Sequence, residues 1–298
     1  YSIDKAHETA AASGARIVHS CGFDSIPSDL GVYALYQKIS DDDAGQLTDT
    51  TLVMRAMRGG LSGGTIDSMR VLAEQAKDSQ IRRLMLNPQS LSGGPGEVPK
   101  ASLSSEPSDL NIVSAKKVDP SLRGTLAPFF MAGHNTRIVR RSNVLLDNAY
   151  GPDFHYAETM NVGSIPAVST ITAGAVGVGT GAFLGAMSFG PTRRLLDRVL
   201  PKPGSGPSEK ARDNGYFVSE GYTRTTTGRR FRAQMRAQGD PGYKATAVML
   251  GESALTLALD RDNLPPRTGV LTPAAAMGDA LIGRLRTAGF TIEATELR

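Results

Sequence analysis

A short apolar run that leads into a turn and then into a proline-started helix is the feature that most constrains this fold. Residues 15–19 are mostly apolar and predict a buried strand of the kind found in parallel sheets. After the turn, Ser25 is placed to cap a helix, Pro27 suits its first turn, and Asp29 complements its positive end. The segment therefore predicts a strand–turn–helix unit, which is where open α/β sheets bind ligands.

The middle of the chain predicts a mixed or antiparallel sheet. Residues 230–238 alternate between polar and apolar side chains with a period of two, and residues 216–218 are the predicted partner strand. Residues 66–86 predict one helix. This order of elements indicates an α+β region joined to an α/β remnant. We predict three parts: residues 1–45, residues 46–265 as the α+β part, and residues 266–298, a helix and strand that return to the first part.

Composition excludes several classes of protein. The 298 residues carry 33 Lys plus Arg against 29 Asp plus Glu, a net charge of +4 that is far from the dense basic surface of a nucleic-acid binder. Cys21 is the only cysteine, so neither an intramolecular disulfide nor a cysteine-rich zinc site is predicted. The histidines lack the spacing of metalloenzyme motifs, so we predict no metal site and assign no role to His134 or His155.

Residues 159–192 contain no charged side chain. Small residues recur there every four positions and share one helical face that lets another backbone approach closely: Ala173, Gly177, Gly181 and Gly185. Three interpretations of this stretch stay open: a packed soluble helix, an irregular loop, or a helix in contact with lipid, an acyl chain or a partner helix. The stretch is long enough to span a bilayer but only weakly apolar. We therefore expect a cytoplasmic protein with peripheral contact at the inner face of the plasma membrane.

Three other patterns have alternative interpretations. The GxGxxA spelling at residues 177–182 lacks a preceding strand and an acidic partner, so it is rejected as a cofactor loop. At a predicted helix start, Gly63, Gly64 and Thr65 form either a tight turn or a receptor for an anionic or carbonyl group. Two sets of arginines predict either solvated faces or a platform for a phosphorylated carrier: Arg230, Arg232 and Arg236 on a strand, and Arg137, Arg140 and Arg141 on a basic amphipathic helix.

The string His19-Ser-Cys-Gly-Phe-Asp-Ser-Ile-Pro-Ser-Asp-Leu-Gly31 resembles a signature of the saccharopine dehydrogenase-like oxidoreductases. It is most similar to their lipid-associated branch, which includes bacterial trans-acting enoyl reductases of polyketide-lipid synthesis. Further strings agree with that branch, in order along the chain: Gly60-Leu-Ser-Gly-Gly-Thr65, Ala127-Pro-Phe-Phe130, Val139-Arg-Arg-Ser-Asn143, Tyr150-Gly-Pro-Asp-Phe154 and Leu271-Thr-Pro-Ala-Ala-Ala-Met-Gly278.

The resemblance implies an NADPH-dependent enoyl reductase that acts on a long acyl or polyketide lipid intermediate, free or carrier-bound. It also implies a Rossmann unit with the main cofactor site upstream of Tyr1, because the first residues here already predict a helix. Residues 1–45 would then be the tail of that unit, residues 46–265 a substrate and dimerisation domain, and the chain alone inactive. Whether the chain forms a homodimer is left open.

The resemblance also nominates site residues. The turn that would border the nicotinamide comprises Cys21, Gly22, Phe23, Asp24 and Ser25, and the substrate residues would be Gly63, Gly64 and Thr65. No proton donor is assigned, since Tyr150 and Tyr156 qualify only by their chemistry. Two alternatives stay open: a non-catalytic lipid-surface or scaffold protein of the same fold, and a reductase of an imine or ketone.

Overall fold

The computed structural model describes residues 2–59, 63–97, 106–196, 198, 200 and 204–298. The helices are α1 (Ser2–Ser13), α2 (Ile26–Asp41), α3 (Gly63–Gln75), α4 (Ser79–Leu86), α5 (Ala115–Val118), α6 (Ala132–Leu145), α7 (Pro166–Ser188), α8 (Gly190–Leu196), α9 (Glu209–Asp213), α10 (Lys244–Leu259) and α11 (Pro273–Thr287). The strands are β1 (Arg16–Val18), β2 (Leu47–Arg58), β3 (Val113–Ser114), β4 (Thr125–Pro128), β5 (His155–Asn161), β6 (Tyr216–Thr225), β7 (Arg230–Gln238), β8 (Gly269–Leu271) and β9 (Thr291–Leu297).

Two separate sheets organise the described residues. The larger is mixed, with the strand order β3-β4-β5-β2-β6-β7-β9, and its β2 and β5 run parallel while the other neighbours are antiparallel. The smaller is the parallel pair β1 and β8, in which Val18 lies opposite Leu271. The prediction of a mixed sheet is confirmed, and so is the pairing of the alternating segment, because Phe217 lies opposite Ala237.

Helix α2 lies at the centre of the packing and connects the smaller sheet to the larger one. Its apolar side chains, among them Leu30 and Leu35, are fully buried and join the two main hydrophobic clusters. Helices α6 and α11 also pack against α2. At Gly278 the helix α11 kinks with a positive φ of 44°, and a Cβ there would lie 2.8 Å from the Tyr33 hydroxyl oxygen. Glycine is therefore required where α11 crosses α2.

Two predictions about elements are wrong. The helix predicted over residues 66–86 is two helices, because the Asp78 carboxylate accepts hydrogen bonds from the N–H groups of Gln80 and Ile81 and so caps a new helix. The strand at residues 16–18 is half-buried rather than buried. In the part of the chain that the structure describes it pairs with β8 alone, so it lacks the second neighbour of a central parallel strand.

The arginines of α6 do not form a solvated basic face. All three side chains are buried, and each of them contacts the loop that precedes β3. Arg137 pairs with Asp109, and Arg140 pairs with Glu106 at 2.8 Å. On β7 the predicted alternation is confirmed, and Arg230 and Arg232 pair with Asp119 and Glu220.

Candidate functional site

A cavity of about 230 Å³ opens at the carboxyl ends of β1 and β8. Its lining includes His19 and Ser20, which follow β1, and Thr272, which follows β8. Helix α6 closes another side with His134 and Arg141. Parallel strands bind ligands beyond their carboxyl ends, so this cavity is where the strand–turn–helix pattern predicts a site.

Ser20 and His134 form a hydrogen-bonded pair inside this cavity, with Oγ and Nε2 separated by 3.0 Å. Ser20 has a positive φ of 60°, an unfavourable conformation for a residue with a side chain. His134 lies in the first turn of α6. The surrounding protein atoms lower the pKa of His134, and the Arg137 guanidinium lowers it further against the opposing effect of Asp24. His134 is itself exposed at the edge of the cavity, and its lowered pKa favours the neutral imidazole at pH 7.

The other polar side chains of the cavity are engaged with the protein itself. Arg141 donates to the carbonyl oxygens of Leu91 and Val270, both at 2.7 Å, so its charge is committed to the backbone. His19 Nε2 lies 3.0 Å from Ser2 Oγ, and Thr272 Oγ1 lies 2.6 Å from Ser142 Oγ.

The turn that sequence analysis nominated runs behind the cavity. Cys21 is buried, its Sγ lies 3.8 Å from the carbonyl oxygens of Val18 and His19, and burial raises the pKa of its thiol to about 11. The thiol is therefore protonated and unreactive near neutral pH. The N–H of Phe23 donates to Thr246 Oγ1, and a Cβ on Gly22 would lie 3.1 Å from Thr246 Cγ2. These three residues pack the turn against α10.

Asp24 and Ser25, the polar residues of the turn, have opposite environments. Asp24 is exposed, whereas Ser25 is fully buried and donates from Oγ to the Asn135 side chain at 3.1 Å. The prediction that Ser25 caps α2 is wrong, because its side chain makes no capping hydrogen bond. The hydrogen bonds of the Asp29 carboxyl also go to residues outside its own helix, α2. The carboxyl accepts from the main-chain N–H of Ala274 at 2.8 Å and so complements the start of α11.

A buried polar network lies beneath the turn. The Glu158 carboxyl accepts hydrogen bonds from the Asn135 amide at 2.9 Å and the Tyr156 hydroxyl at 2.8 Å. Burial raises the pKa of Glu158 to about 7, and it raises the pKa of Asp29 to about 7 as well. Tyr156 and Tyr150 are fully buried and line no part of the cavity, so their side chains are removed from the position where a ligand would bind.

The nominated substrate residues lie elsewhere. Gly63 begins α3, and its N–H donates to the carbonyl oxygen of Ser205 at 3.3 Å. None of Gly63, Gly64 and Thr65 lines the cavity. Their contact with a substrate stays a prediction. The structure therefore brings Ser20 and Thr272 together with His134, three residues to which sequence analysis gave no role.

Helix α7 carries most of the uncharged stretch. Ala173 is buried, and a Cβ on Gly177 would lie 3.3 Å from Ile112 Cδ1, so this half of the small-residue face packs closely. Around Gly181 and Gly185 the described residues leave open space, so contact of this half of the face with lipid, an acyl chain or a partner helix stays a prediction. Among the described residues this is the one helix long and apolar enough to cross a membrane, judged by length and composition alone.

Comparison with known proteins identifies relatives along the whole chain, although no family model matches it. A Mycobacterium tuberculosis protein designated a trans-acting enoyl reductase is 52% identical over 300 residues, which cover 99% of this chain and 71% of the relative. Proteins named trans-acting enoyl reductase from Mycobacterium bovis and Mycobacterium ulcerans are each 45% identical, again over 99% of this chain and 71% of their own length.

Proposed function

Because the chain belongs to the trans-acting enoyl reductase family, we propose that it reduces a conjugated double bond in a long acyl or polyketide lipid intermediate with NADPH. Hydride would go to the β-carbon and a proton to the α-carbon. The observation that carries the proposal is the cavity at the carboxyl ends of β1 and β8, the position at which α/β sheets hold ligands.

The cavity suits the reacting ends of both ligands. At about 230 Å³ it is smaller than a pocket for a whole drug-sized molecule, so it fits a nicotinamide ring or the end of an acyl chain. Leu91, Ile138 and Leu271 supply apolar lining, against which a nicotinamide ring or an acyl chain can pack. The Arg141 charge is already used by backbone carbonyls, so the cavity offers no cation for a pyrophosphate. We propose that the remainder of NADPH binds outside the cavity.

The reductase activity is tested by following NADPH oxidation with a crotonyl thioester, which carries the conjugated alkene, and with a butyryl thioester, which lacks it. Leu91→Trp fills the cavity from one wall and should abolish alkene-dependent oxidation. Leu86→Trp, at an exposed position nearby in sequence, is the matched control. Oxidation with crotonyl thioester that persists in Leu91→Trp would separate the cavity from the activity. Oxidation with an imine or ketone alone would favour the other reductase class.

Cofactor affinity is measured separately by calorimetry. The 298-residue chain should bind NADPH weakly, because the cavity takes only one end of the dinucleotide. The 52% identical relative, of which this chain covers 71%, provides the comparison. Micromolar affinity in the chain by itself would contradict this part of the proposal.

We also propose that α7 rests on an anionic membrane surface at the cytoplasmic face. Ile171 and Val178 are each 75% exposed and Val168 is 54% exposed, so the helix presents large apolar side chains to solvent. Residues 159–192 carry no charge, while an exposed Arg198 follows. Apolar insertion beside basic residues is how peripheral helices bind anionic headgroups. A role at a lipid surface is compatible with reductase activity. If the chain reduces no substrate, the lipid-surface role is the remaining candidate function.

Flotation with anionic and neutral liposomes tests this contact. Binding should require anionic lipid and weaken in high salt, because salt screens the headgroup attraction. Ile171→Asp should abolish binding, whereas Leu250→Asp, at an exposed apolar position on α10, should not. Equal loss in both variants would contradict a specific role for α7. Retention after a carbonate wash would show insertion across the bilayer instead.

A further inference from the structure

The Ser20–His134 pair is the polar feature of the cavity that the proposed function has not used. Ser20 Oγ forms a hydrogen bond with His134 Nε2. Within the described part of the chain the other ring nitrogen of His134, Nδ1, has no hydrogen-bond partner. Arg141 and Thr272 are bonded to other protein groups. Nδ1 of His134 and Nδ1 of His19 are therefore the two ring nitrogens of the described cavity lining that make no hydrogen bond. His134 differs from His19 in that its Nε2 contacts Ser20, whose backbone has a positive φ.

The backbone at Ser20 is held in a costly conformation. A non-glycine residue with a φ of 60° costs of the order of 1–3 kcal/mol and persists only where the surrounding structure imposes it. Ser20 is the second residue after the end of β1 at Val18, and Cys21 after it is buried. This conformation sets the position from which Oγ reaches His134. Strain of this kind concentrates at sites where a side chain must be aimed.

His134 stays neutral for identifiable reasons. It lies in the first turn of α6, where the positive end of the helix dipole disfavours a cation, and the surrounding protein and Arg137 lower its pKa in the same direction. Asp24 is the charged group that opposes them. A neutral imidazole donates a hydrogen bond without carrying a charge to desolvate, which suits it to polarise a carbonyl oxygen.

We infer that His134 is a catalytic residue that donates a hydrogen bond from Nδ1–H to the carbonyl oxygen of the enoyl thioester, and that Ser20 is the positioning residue that orients the ring. The inference requires the tautomer in which the Ser20 hydroxyl donates to Nε2 and the ring proton lies on Nδ1. This inference rests on the proposed function, since it assigns a role within that reaction.

The chemistry needs such a donor. Hydride addition to the β-carbon breaks the π bond of the alkene and moves an electron pair through the α-carbon onto the carbonyl oxygen. Negative charge collects on that oxygen, so the hydrogen bond from His134 strengthens as the reaction proceeds. A proton from solvent then adds to the α-carbon, the electron pair returns from oxygen, and a saturated acyl thioester results.

A spectroscopic test needs no turnover. A crotonyl thioester of N-acetylcysteamine, labelled with ¹³C at the carbonyl carbon, is added to the protein without NADPH, and the ¹³C resonance of the bound probe is recorded. We expect a downfield displacement in the wild type, its loss in His134→Ala, and partial recovery in His134→Asn, whose amide nitrogen approximates Nδ1. His155→Ala, at a histidine outside the cavity, is the matched control. An unchanged displacement in His134→Ala would overturn the inference.

Kinetics and titration complete the test. Loss of one such donor lowers kcat by about 100-fold or more in other enzymes, and we expect that loss in His134→Ala. Ser20→Gly removes the hydroxyl while relieving the positive φ, so it should fold normally, lower kcat and shift the NMR titration of His134. If the wild type reduces the alkene and both His134→Ala and Ser20→Gly keep its kcat, the inference about His134 is rejected and the proposed function is not. A wild type that reduces no alkene even at saturating NADPH would reject the proposed function for this chain, and the spectroscopic result would still decide whether His134 binds the carbonyl.

Discussion

Replacing the buried Asp29 carboxyl with an amide should make the protein's stability less dependent on pH. The side chain is fully buried in α2, where it accepts hydrogen bonds from Ser142 and from the main-chain N–H of Ala274. Burial raises its pKa from 3.8 to about 7, although both hydrogen bonds act in the opposite direction. Between these pH values the folded protein holds a proton that the unfolded chain has released.

The sign and size of the effect follow from linkage. Because the pKa of Asp29 is higher in the folded state, its contribution to stability is fully present below about pH 4 and is lost as the pH rises to about 7. Each pKa unit corresponds to about 1.4 kcal/mol, and the slope halves at the folded pKa, so the free energy of unfolding should fall by about 2 kcal/mol between pH 5 and pH 7 through this group. The usual salt-bridged carboxylate gives the opposite slope.

Urea unfolding at pH 5, 6, 7 and 8 measures this slope. In Asp29→Asn the amide oxygen still accepts from Ala274 and the amide N–H₂ donates to Ser142, so the fold should persist and the variant should gain on the wild type as the pH rises. Taking the difference between the two proteins cancels the titration of other groups. The exposed Asp153→Asn is the matched control. A variant that falls further below the wild type at pH 8 than at pH 5 would refute the reasoning.

Three further outcomes are expected in the same unfolding assay. Glu158→Gln should also flatten the pH dependence, because burial raises the pKa of Glu158 to about 7. Gly278→Ala should destabilise by about 2 kcal/mol, since its φ of 44° and a Cβ 2.8 Å from the Tyr33 hydroxyl disfavour a side chain, whereas Gly283→Ala, in open space on the same helix, should stabilise by about 1 kcal/mol. Arg140→Ala should cost about 3 kcal/mol, because Glu106 then loses its partner in a buried pair.

Local patterns were sufficient for the elements that pair with their sequence neighbours. The alternation over residues 230–238 predicts both the faces of β7 and its pairing with β6. In a half-buried antiparallel strand every second side chain faces the core and is apolar, so the pattern is visible in the sequence. The parallel pair β1 and β8 has no such signature. Arg16 pairs with Gly269, residues far apart in sequence, and each strand is only three residues long.

The buried arginines show how tertiary partners override composition. Arg137, Arg140 and Arg141 have the spacing of a basic amphipathic face, but the groups that neutralise or accept from them belong to other segments, chiefly the Ser- and Gly-rich loop before β3 and also the strands β5 and β8. Nothing in α6 itself indicates those partners. A charged residue is buried when its partners arrive from elsewhere in the chain, and that arrangement is not visible in a local window.

The cavity opens where the sequence predicts a ligand, whereas the prediction that Cys21–Ser25 bind the cofactor stays a prediction, since none of them lines this cavity. The strand–turn–helix pattern located the carboxyl end of β1, where the cavity opens. It directed attention to Cys21–Ser25, which supply the packed back of the turn, instead of Ser20 one position earlier. His134 was set aside as an isolated histidine, because its partner lies 114 residues away in sequence. A serine directly after a predicted strand was the one available signal.

The buried carboxyl of Asp29 and the cavity are linked through two hydroxyl groups. Ser142 contacts Asp29 on one side and lies 2.6 Å from Thr272 Oγ1 on the other, and Thr272 lines the cavity. Ser142 donates to Asp29, and loss of the Asp29 proton near pH 7 strengthens this hydrogen bond, so the Ser142 oxygen is held as an acceptor for Thr272. Thr272 then keeps its proton directed away from the cavity. The polarity of this wall should therefore change over the same pH range as the stability, so a change in substrate KM that persists in Asp29→Asn would show that the two are independent.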